Sequence, residues 1–348
     1  MESDDLRRAT TNGVIPARAC PARSGGLVTL QTDLPRERAK HVLFDRQRQM
    51  LALLAALRGA GNLDFQKLLF LYCQESGVTP PYEFVPYKFG AFSFTSYADR
   101  RKLIERGFLA DDEQHWALTD AGRKALGRAE TGRLARFTRG LRGTRGDALV
   151  AETYRRFPYY ATRSEIAERV LRGDSAALAR IEAARPAVKA AAVSTIGYEG
   201  RTLESYLNEL LRSGVTLLCD VRRNPISRKY GFSKGTLGKG CEGVGIRYEH
   251  VPELGIASEQ RQSLETQADY DALFAEYERD SLPLQGPALA KIRAGVRSGE
   301  RGALTCYERV PSQCRRHCVA EALEREYGKG LRRQASVRGN GDEQRGAF

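Results

Sequence analysis

The alternation of short apolar strands with helices between residues 191 and 330 constrains the fold more than any other feature of the sequence. Four segments have the length and apolar content of buried strands: VSTIGY, TLLCDV, IRYEHVPEL and GALTCYE. Helical segments lie between and after them: LESYLNELLRSG, YDALFAEYERD, ALAKIRAGVRSG and CRRHCVAEALEREYG. Strands that alternate with helices form βαβ units, whose right-handed crossovers produce parallel sheets. We therefore predict an α/β domain over 191–330 with a mostly parallel, Rossmann-like open sheet.

Residues 42–185 follow a different pattern, which predicts an α-rich domain. RQRQMLALLAALRGA, FQKLLFLYCQESG and SYADRRKLIERG have the periodicity and the stop signals of three helices. FLADDEQHWALT then predicts two short strands about an acidic turn, and DAGRKAL begins another helix. This order is that of a winged helix-turn-helix domain. Residues 1–41 and 331–348 show no periodicity, and we expect a disordered basic arm and a disordered tail.

The net charge of +13 is concentrated in the helical block. Residues 42–190 hold 25 basic and 17 acidic side chains, whereas residues 191–330 hold 20 and 19. Such an excess attracts polyanions, above all nucleic acid. The candidate nucleic-acid contacts are the polar residues of the helix before the wing and the arginines that follow it: Tyr97, Arg100, Arg101, Lys102, Arg133, Arg136, Arg139 and Arg142. An ordinary solvated face, or a winged helix that contacts protein, is the alternative.

A ligand site is expected where the parallel strands end, because ligands bind beyond the carboxyl ends of such strands. Asp220 and Glu308 are the candidate acid, base or electrostatic stabiliser. Cys314 is the candidate nucleophile, because a helix N-terminus and neighbouring arginines would lower the pKa of its thiol. Candidate substrate or anion ligands are Gly197, Tyr198, Arg222, Arg223, Ser227, Glu253, Cys306, Arg315 and Arg316. The structural alternatives are an ion pair between Asp220 and Arg222 and a core role for Cys306.

No cofactor is expected from the motifs. The chain has neither a P-loop nor a GxGxxG sequence. Zinc bound by Cys306, Cys314 and Cys318, with His317, is disfavoured because the C-x7-C-x2-H-C spacing lacks the usual C-x2-C pair. The opening MESDDLRRATTNG lacks the apolar core of a secretory signal, and no apolar run approaches the roughly 20 residues of a membrane span. Seven cysteines in a chain of this length fit a reducing compartment, so we expect a cytoplasmic protein without membrane contact.

A series of ordered motifs runs through about residues 193–328. They fall on Ile196 and Gly197, Asp220 to Arg222, Pro225, Ser227, Tyr248, His250, Glu253 to Gly255, Cys306, Glu308, Cys314 and Arg316. Together they resemble a large bacterial and archaeal family, the domain of unknown function number 488. The resemblance implies the fold and the site but no reaction. Arg315 stands where the family has a histidine after the second cysteine, so a role for that histidine does not carry over.

The helical block has a second resemblance, from KLLFLYCQ through YEFVPYKFGAFSF to LTDAG and RRFPYYATRSEIAERVL. These segments, within about 42–172, resemble winged-helix domains of the Panacea antitoxin-like type. The resemblance implies a setting in defence, toxin–antitoxin systems or mobile elements, where both DNA and protein partners occur.

The patterns together predict a nucleic-acid-directed enzyme. The winged helix would hold DNA or RNA, and the α/β domain would act on a nucleotide or base by glycosidic cleavage, phosphodiester cleavage or base modification, in DNA repair or phage defence. One alternative is a non-catalytic regulator or antitoxin-like adaptor that binds DNA or protein and has a small-anion site. Another is a thiol-dependent enzyme that acts on a small metabolite.

Overall fold

A computed structural model describes residues 43–75, 80–126, 131–140, 143–257, 260 and 264–327. These residues belong to one compact unit that begins at Leu43. The predicted arm 1–41 and tail 331–348 lie outside the described residues, as do Arg142 and the side chains of Arg133 and Arg136. The predicted domain boundaries stay predictions.

The first part of the unit is mainly helical. Its helices are α1 (Asp45–Leu57), α2 (Asn62–Glu75), α3 (Phe94–Glu105), α4 (Asp120–Leu126), α5 (Thr131–Gly140), α6 (Gly146–Arg156), α7 (Ala167–Val170) and α8 (Ser175–Ala183). Its strands are β1 (Ala60–Gly61), β2 (Val85–Tyr87), β3 (Gly90–Phe92) and β4 (His115–Trp116). No helix among the described residues is long and apolar enough to cross a membrane.

Two short antiparallel pairs of strands lie between these helices. Strand β1 pairs with β4, and the two segments predicted to form a wing meet at a single bridge between Leu109 and Leu118. Strands β2 and β3 form a hairpin in the proline-containing segment, where the sequence allows only a loop or a short extended stretch. Strand β1 and the β2–β3 hairpin are additions to the predicted order, and the winged helix-turn-helix topology stays a prediction.

A buried carboxylate ties α1 to α3. Asp99 is 1% exposed and accepts hydrogen bonds from Arg46 Nε at 2.6 Å, Gln47 Nε2 at 2.9 Å and the Tyr82 hydroxyl at 3.1 Å. A buried charge is tolerated when it is paired and fully hydrogen-bonded, which is the case for this aspartate. The network links the first turn of α1 to α3.

One lysine is buried among the apolar side chains of the same core. Lys67 of α2 is 1% exposed, and its Nζ donates to the carbonyl oxygen of Ala91 at 2.8 Å. Burial lowers the pKa of the Lys67 ammonium group to about 7, because a charged group loses its hydration there. The amine is thus close to its titration midpoint at neutral pH.

The second part of the unit is built on a four-stranded sheet. Its strands are β5 (Ala192–Gly197), β6 (Leu217–Asp220), β7 (Arg247–His250) and β8 (Arg301–Cys306), and its helices are α9 (Leu203–Arg212), α10 (Lys234–Gly243), α11 (Gln267–Glu276), α12 (Gly286–Arg297) and α13 (Arg316–Tyr327). The strands are all parallel and lie in the order β5-β8-β6-β7. This confirms the predicted mixed α/β architecture with a parallel sheet.

Helix α10 was not expected, because its sequence KGTLGKGCEG is rich in glycine, a poor helix former. Close packing explains the last of these glycines. A Cβ atom at Gly243 would lie 2.1 Å from the ring of Tyr87, whereas one at Gly240 would make an ordinary contact with Leu207 at 3.5 Å. Gly243 thus lets the end of the helix lie against Tyr87, and Leu237 and Cys241 of the same helix are buried.

Helix α9 joins the helical part to the sheet. Glu204, in its first turn, accepts hydrogen bonds from the Thr95 backbone N–H at 2.7 Å, the Thr95 hydroxyl at 2.9 Å and the Ser93 hydroxyl at 3.1 Å. One turn further along, Asn208 Nδ2 donates to the carbonyl oxygen of Phe84 at 2.7 Å. The N-terminus of α3 is therefore fixed against the α/β part.

Candidate functional site

The carboxyl ends of β5, β8 and β6 bring most of the predicted site residues to one edge of the sheet. Strand β8 lies between the other two, so Gly197 pairs with Cys306, and Asp220 pairs with Thr305. The glycine is required because a Cβ atom there would lie 1.9 Å from the carbonyl oxygen of Glu308. The strand-end residues of three segments distant in sequence are thus in contact.

Asp220 and Arg222 form a buried ion pair at this edge. Arg222 Nε donates to Asp220 Oδ1 at 2.8 Å, and its Nη2 contacts Oδ2. The Tyr248 hydroxyl donates to Oδ2 at 2.7 Å, and Arg222 Nη1 donates to the Tyr198 hydroxyl at 2.9 Å and to the Phe232 carbonyl oxygen at 2.8 Å. Asp220 and Arg222 therefore form the ion pair that was the structural alternative to a catalytic role.

The charges of this pair shift the pKa values of its neighbours. Burial acts to lower the pKa of Arg222, but the hydrogen bonds and charge of Asp220 outweigh it, so the pKa is raised. Burial and the Asp220 carboxylate both raise the pKa of the Tyr248 phenol. Tyr248 thus stays protonated as a hydrogen-bond donor at neutral pH, and the carboxylate is saturated by its donors.

A second cluster joins Cys306, Glu308 and Cys314. The Cys306 thiol donates to Glu308 Oε2 at 3.1 Å, and one ligand atom from each of the three residues lies within 4.8 Å of the others. All three residues are buried. Two thiols and a carboxylate in a buried site can transfer protons, provide a nucleophile or bind a metal ion.

The expected activation of Cys314 is wrong. Burial raises the pKa of the Cys314 thiol well above its ordinary value, and a hydrogen bond with Cys306 raises it further. Helix α13 begins at Arg316, and Cys314 lies in extended backbone two residues before that start. The hydrogen bond from Cys314 instead lowers the pKa of the Cys306 thiol. The more acidic thiol is the one at the strand end.

Arg315 and Arg316 hold the loops of this edge through backbone oxygens. Arg315 donates from Nε and Nη2 to the carbonyl oxygen of Val221, at 3.2 and 3.0 Å. Arg316 contacts the carbonyl oxygen of Glu308 through Nη1 and donates from Nη2 to that of Arg309 at 2.9 Å. Both side chains are buried, so their predicted role in binding an anion from solvent stays a prediction.

The candidate zinc ligands are divided by the structure. Cys306 and Cys314 share the cluster with Glu308, an acid that the sequence considerations did not count as a ligand. His317 is outside this group, since its Nδ1 lies 2.7 Å from the carbonyl oxygen of Cys314 and its ring packs on that of Phe274. Cys318 is outside it too. The expectation that the chain binds no metal stays a prediction.

The exposed part of the edge contains the remaining candidates and two residues that the sequence site lacks. Arg223 and Glu253 are exposed, and Ser227 is half-buried. Lys229 Nζ donates to the carbonyl oxygen of Tyr198 at 3.2 Å, and burial lowers its pKa. The ring of Tyr307 meets that of Tyr198 edge to face at 5.3 Å. Tyr307 directly follows the last residue of β8, and a search continued nine residues past the end of β6 would have found Lys229.

The candidate nucleic-acid contacts differ in exposure. Tyr97 packs against Phe92 and Trp116 in the helical core, and Arg100 lies over the Trp116 ring at 5.0 Å. Of the predicted set, the described side chains that are exposed to solvent are Arg101, Lys102 and Arg139.

The comparisons with known proteins bear on the second part of the unit. No curated protein and no solved structure matches the chain. A family model does match, and the matched segment of the chain includes the Asp220–Arg222 pair and the cysteine–glutamate cluster. The resemblance of 42–172 to Panacea antitoxin-like domains stays a prediction. Over residues 202–323 the chain matches the family described as Domain of unknown function DUF488, which confirms the resemblance drawn from the motifs.

Proposed function

We propose that this protein is a nucleic-acid-directed enzyme. Its basic helical part holds DNA or RNA, and the carboxyl edge of its sheet acts on one nucleotide or base of the bound strand. The observation that carries the proposal is the contact between α3 and the loop after β6. The Tyr230 hydroxyl of that loop donates to the carbonyl oxygen of Phe94, the first residue of α3, at 3.0 Å. A polyanion bound along α3 would therefore lie beside the edge.

Exposed cations on both sides of this contact support a shared binding surface. Arg101 and Lys102 are exposed on α3, and Arg223 and Arg228 are exposed in the loop after β6. Burial raises the pKa of the Tyr230 phenol, and the nearby Arg101 guanidinium acts in the opposite direction, as expected when the two side chains are close. Positive charges grouped on one surface attract phosphates and position the bound strand.

The order of elements in the helical part agrees with a winged helix-turn-helix, in which DNA contact is common. Helix α1, strand β1 and helices α2 and α3 precede the bridge between Leu109 and Leu118, and β4 pairs back to β1. The β2–β3 hairpin is an insertion in that order. This part would supply affinity, and the edge would supply the chemistry.

Glu308 and Cys306 are the groups best suited to the reaction. Asp220 is saturated by Arg222 and Tyr248, so it has no lone pair directed at a substrate. Glu308 accepts a hydrogen bond from the thiol of Cys306, whose pKa is lowered by its hydrogen bond with Cys314. We assign Glu308 as the general acid or base and Cys306 as its partner or as a nucleophile. The step is cleavage of a glycosidic or phosphodiester bond, or modification of a base.

The first experiment measures binding and turnover together. Fluorescence anisotropy over a salt series, with single-stranded and duplex DNA and RNA, should give a log affinity that falls linearly with log salt concentration. The bound nucleic acid is then assayed by mass spectrometry and denaturing gels for lost bases, broken strands and altered bases. Glu308→Gln should lower turnover by roughly 10²- to 10⁴-fold and leave the dissociation constant unchanged.

The matched control is Glu242→Gln, because Glu242 is exposed on α10 and should retain full turnover. Unchanged turnover in Glu308→Gln would remove the catalytic assignment. Binding with no change in the nucleic acid would favour the non-catalytic regulator. Absence of binding at low salt would reject the proposal.

A thiol-dependent enzyme on a small metabolite is a second candidate, favoured by the lowered pKa of Cys306 beside a second thiol. It predicts that iodoacetamide alkylates Cys306 at neutral pH in a chain that binds no nucleic acid. Nucleic-acid binding together with base or strand loss would exclude it.

A further inference from the structure

Large apolar side chains that are exposed to solvent concentrate at the carboxyl edge of the sheet. Of the seven such side chains among the described residues, four lie in the two loops that follow β6 and β8. These four are Ile226, Tyr230, Tyr307 and Val310, with exposures of 78%, 37%, 45% and 45%. Because β6 and β8 are adjacent strands, their loops are neighbours. Exposed apolar groups that gather in this way mark a binding surface.

Cations alternate with these apolar groups in the same two loops. Arg223 and Arg228 are exposed beside Ile226, and Arg309 is exposed between Tyr307 and Val310. Alternating arginine and aromatic side chains are typical of surfaces that bind single-stranded nucleic acid, in which arginines contact phosphates and rings stack on bases.

The ring of Tyr307 is held in place by a rigid stack of side chains. It contacts the Tyr198 ring edge to face at a centroid distance of 5.3 Å and an angle of 80°. Tyr198 in turn stacks on Phe232 at 4.3 Å and 9°, and its hydroxyl accepts from Arg222. An aromatic ring that is fixed from below yet about half exposed costs little entropy when a base stacks on it.

We infer that this edge patch, formed by Arg223, Ile226, Arg228, Tyr230, Tyr307, Arg309 and Val310, binds an unpaired nucleotide, with the base stacked on Tyr307 and its phosphates at Arg223 and Arg309. The inference rests on the proposed function and narrows its substrate to single-stranded nucleic acid. Two further facts support it. Within a duplex the faces of the bases are already stacked, so Tyr307 has no surface to meet. The reactive groups flank Tyr307 in sequence and are buried, so a reacting base must leave the helical stack to reach Cys306 or Glu308.

The test compares single-stranded and duplex DNA of the same sequence, with the full chain and with three variants. Tyr307→Ala should weaken binding of the single strand by roughly 5- to 150-fold and should leave duplex affinity within about twofold. Tyr307→Phe retains the ring and should bind the single strand as the parent chain does. Val188→Ala changes a fully exposed apolar residue that precedes the opposite, amino end of β5, and it should alter neither affinity. Thermal unfolding of each variant verifies that the fold is intact.

The outcomes separate this inference from the proposed function. If Tyr307→Ala binds the single strand normally, or if both forms of DNA lose affinity equally while binding persists, the stacking inference fails and the proposed function stands. If the parent chain binds neither form at low salt, the proposed function fails and the inference fails with it. Selective loss of single-strand binding, rescued by Tyr307→Phe, supports the inference.

Discussion

Removing the Asp220 carboxylate should destabilise the protein far more than a surface substitution would. Asp220→Ala leaves the Arg222 guanidinium, whose side chain is 6% exposed, without the charge that it pairs with. It also removes the acceptor of the Tyr248 hydroxyl. Breaking one side of a buried ion pair costs about 3–5 kcal/mol of unfolding free energy, because the remaining charge is buried and unpaired.

The double variant Asp220→Asn with Arg222→Met tests this reasoning. It removes both charges, and the asparagine oxygen still accepts from Tyr248. Replacing a buried pair by neutral groups of similar volume is often neutral or stabilising, so the double variant should lie within about 2 kcal/mol of the parent chain. Urea denaturation followed by circular dichroism measures the midpoint of each variant, with the slope as a check on the denatured state.

Two results would refute the argument. One is an Asp220→Ala variant that loses less than about 1 kcal/mol, the range of an exposed ion pair. The other is a double variant that is no more stable than the single one. The outcome also bears on catalysis, because loss of turnover in Asp220→Ala would then report loss of structure. Glu308→Gln leaves the Asp220–Arg222 pair intact and is the more direct test of chemistry.

Three further predictions concern buried groups and close packing. Lys67→Met should increase the unfolding free energy more below pH 7 than at about pH 10, by a difference of roughly 4 kcal/mol, because the unfolded lysine binds a proton up to about pH 10.4 but the folded one only below about pH 7. Equal gains in thermal stability at pH 6 and pH 9.5 would contradict this. Among the six described cysteines, all without a disulfide, Cys306 should be alkylated first as the pH rises, and peptide mass spectrometry after iodoacetamide treatment identifies the site. Gly243→Val should lose about 1–3 kcal/mol, because its Cβ atom would lie 2.1 Å from the Tyr87 ring, whereas Gly235→Ala on the same helix meets open space and should be neutral or stabilising in the same denaturation assay.

The sheet and its edge were predictable because they depend on periodicity and on a general rule of parallel sheets. Strands that end at Asp220 and Cys306 are apolar and bounded by polar residues, so their carboxyl ends can be located from the sequence. The rule that ligands bind at these ends then nominates the neighbouring side chains. That β6 and β8 are adjacent could not be predicted, because it depends on the order of the strands in the sheet.

What sequence could not provide is the solvation of each group. The sequence places Cys314 at the start of a helix and beside two arginines, a pattern that predicts a lowered thiol pKa. In the structure the arginines donate to backbone oxygens and the thiol is buried, so its pKa rises. Helix α10 was missed for a related reason, because helix propensity counts the entropy cost of glycine and not the close packing that it permits. Both errors arise from contacts between segments far apart in the chain.

The contact between Glu204 and α3 limits how the basic helix can bind nucleic acid. In helix-turn-helix domains the N-terminal residues of the recognition helix reach the base edges. Here that turn is covered, because Glu204 accepts from the backbone and the hydroxyl of Thr95, and the Tyr230 hydroxyl donates to the carbonyl oxygen of Phe94. The exposed cations, Arg101 and Lys102, lie farther along the helix and suit phosphates rather than bases. We therefore expect nucleic-acid binding that depends little on base sequence, with dissociation constants within about threefold for duplexes of unrelated sequence at one salt concentration. A preference for one sequence above about 10³-fold, typical of specific DNA-binding proteins, would show that α3 reads bases after releasing Glu204.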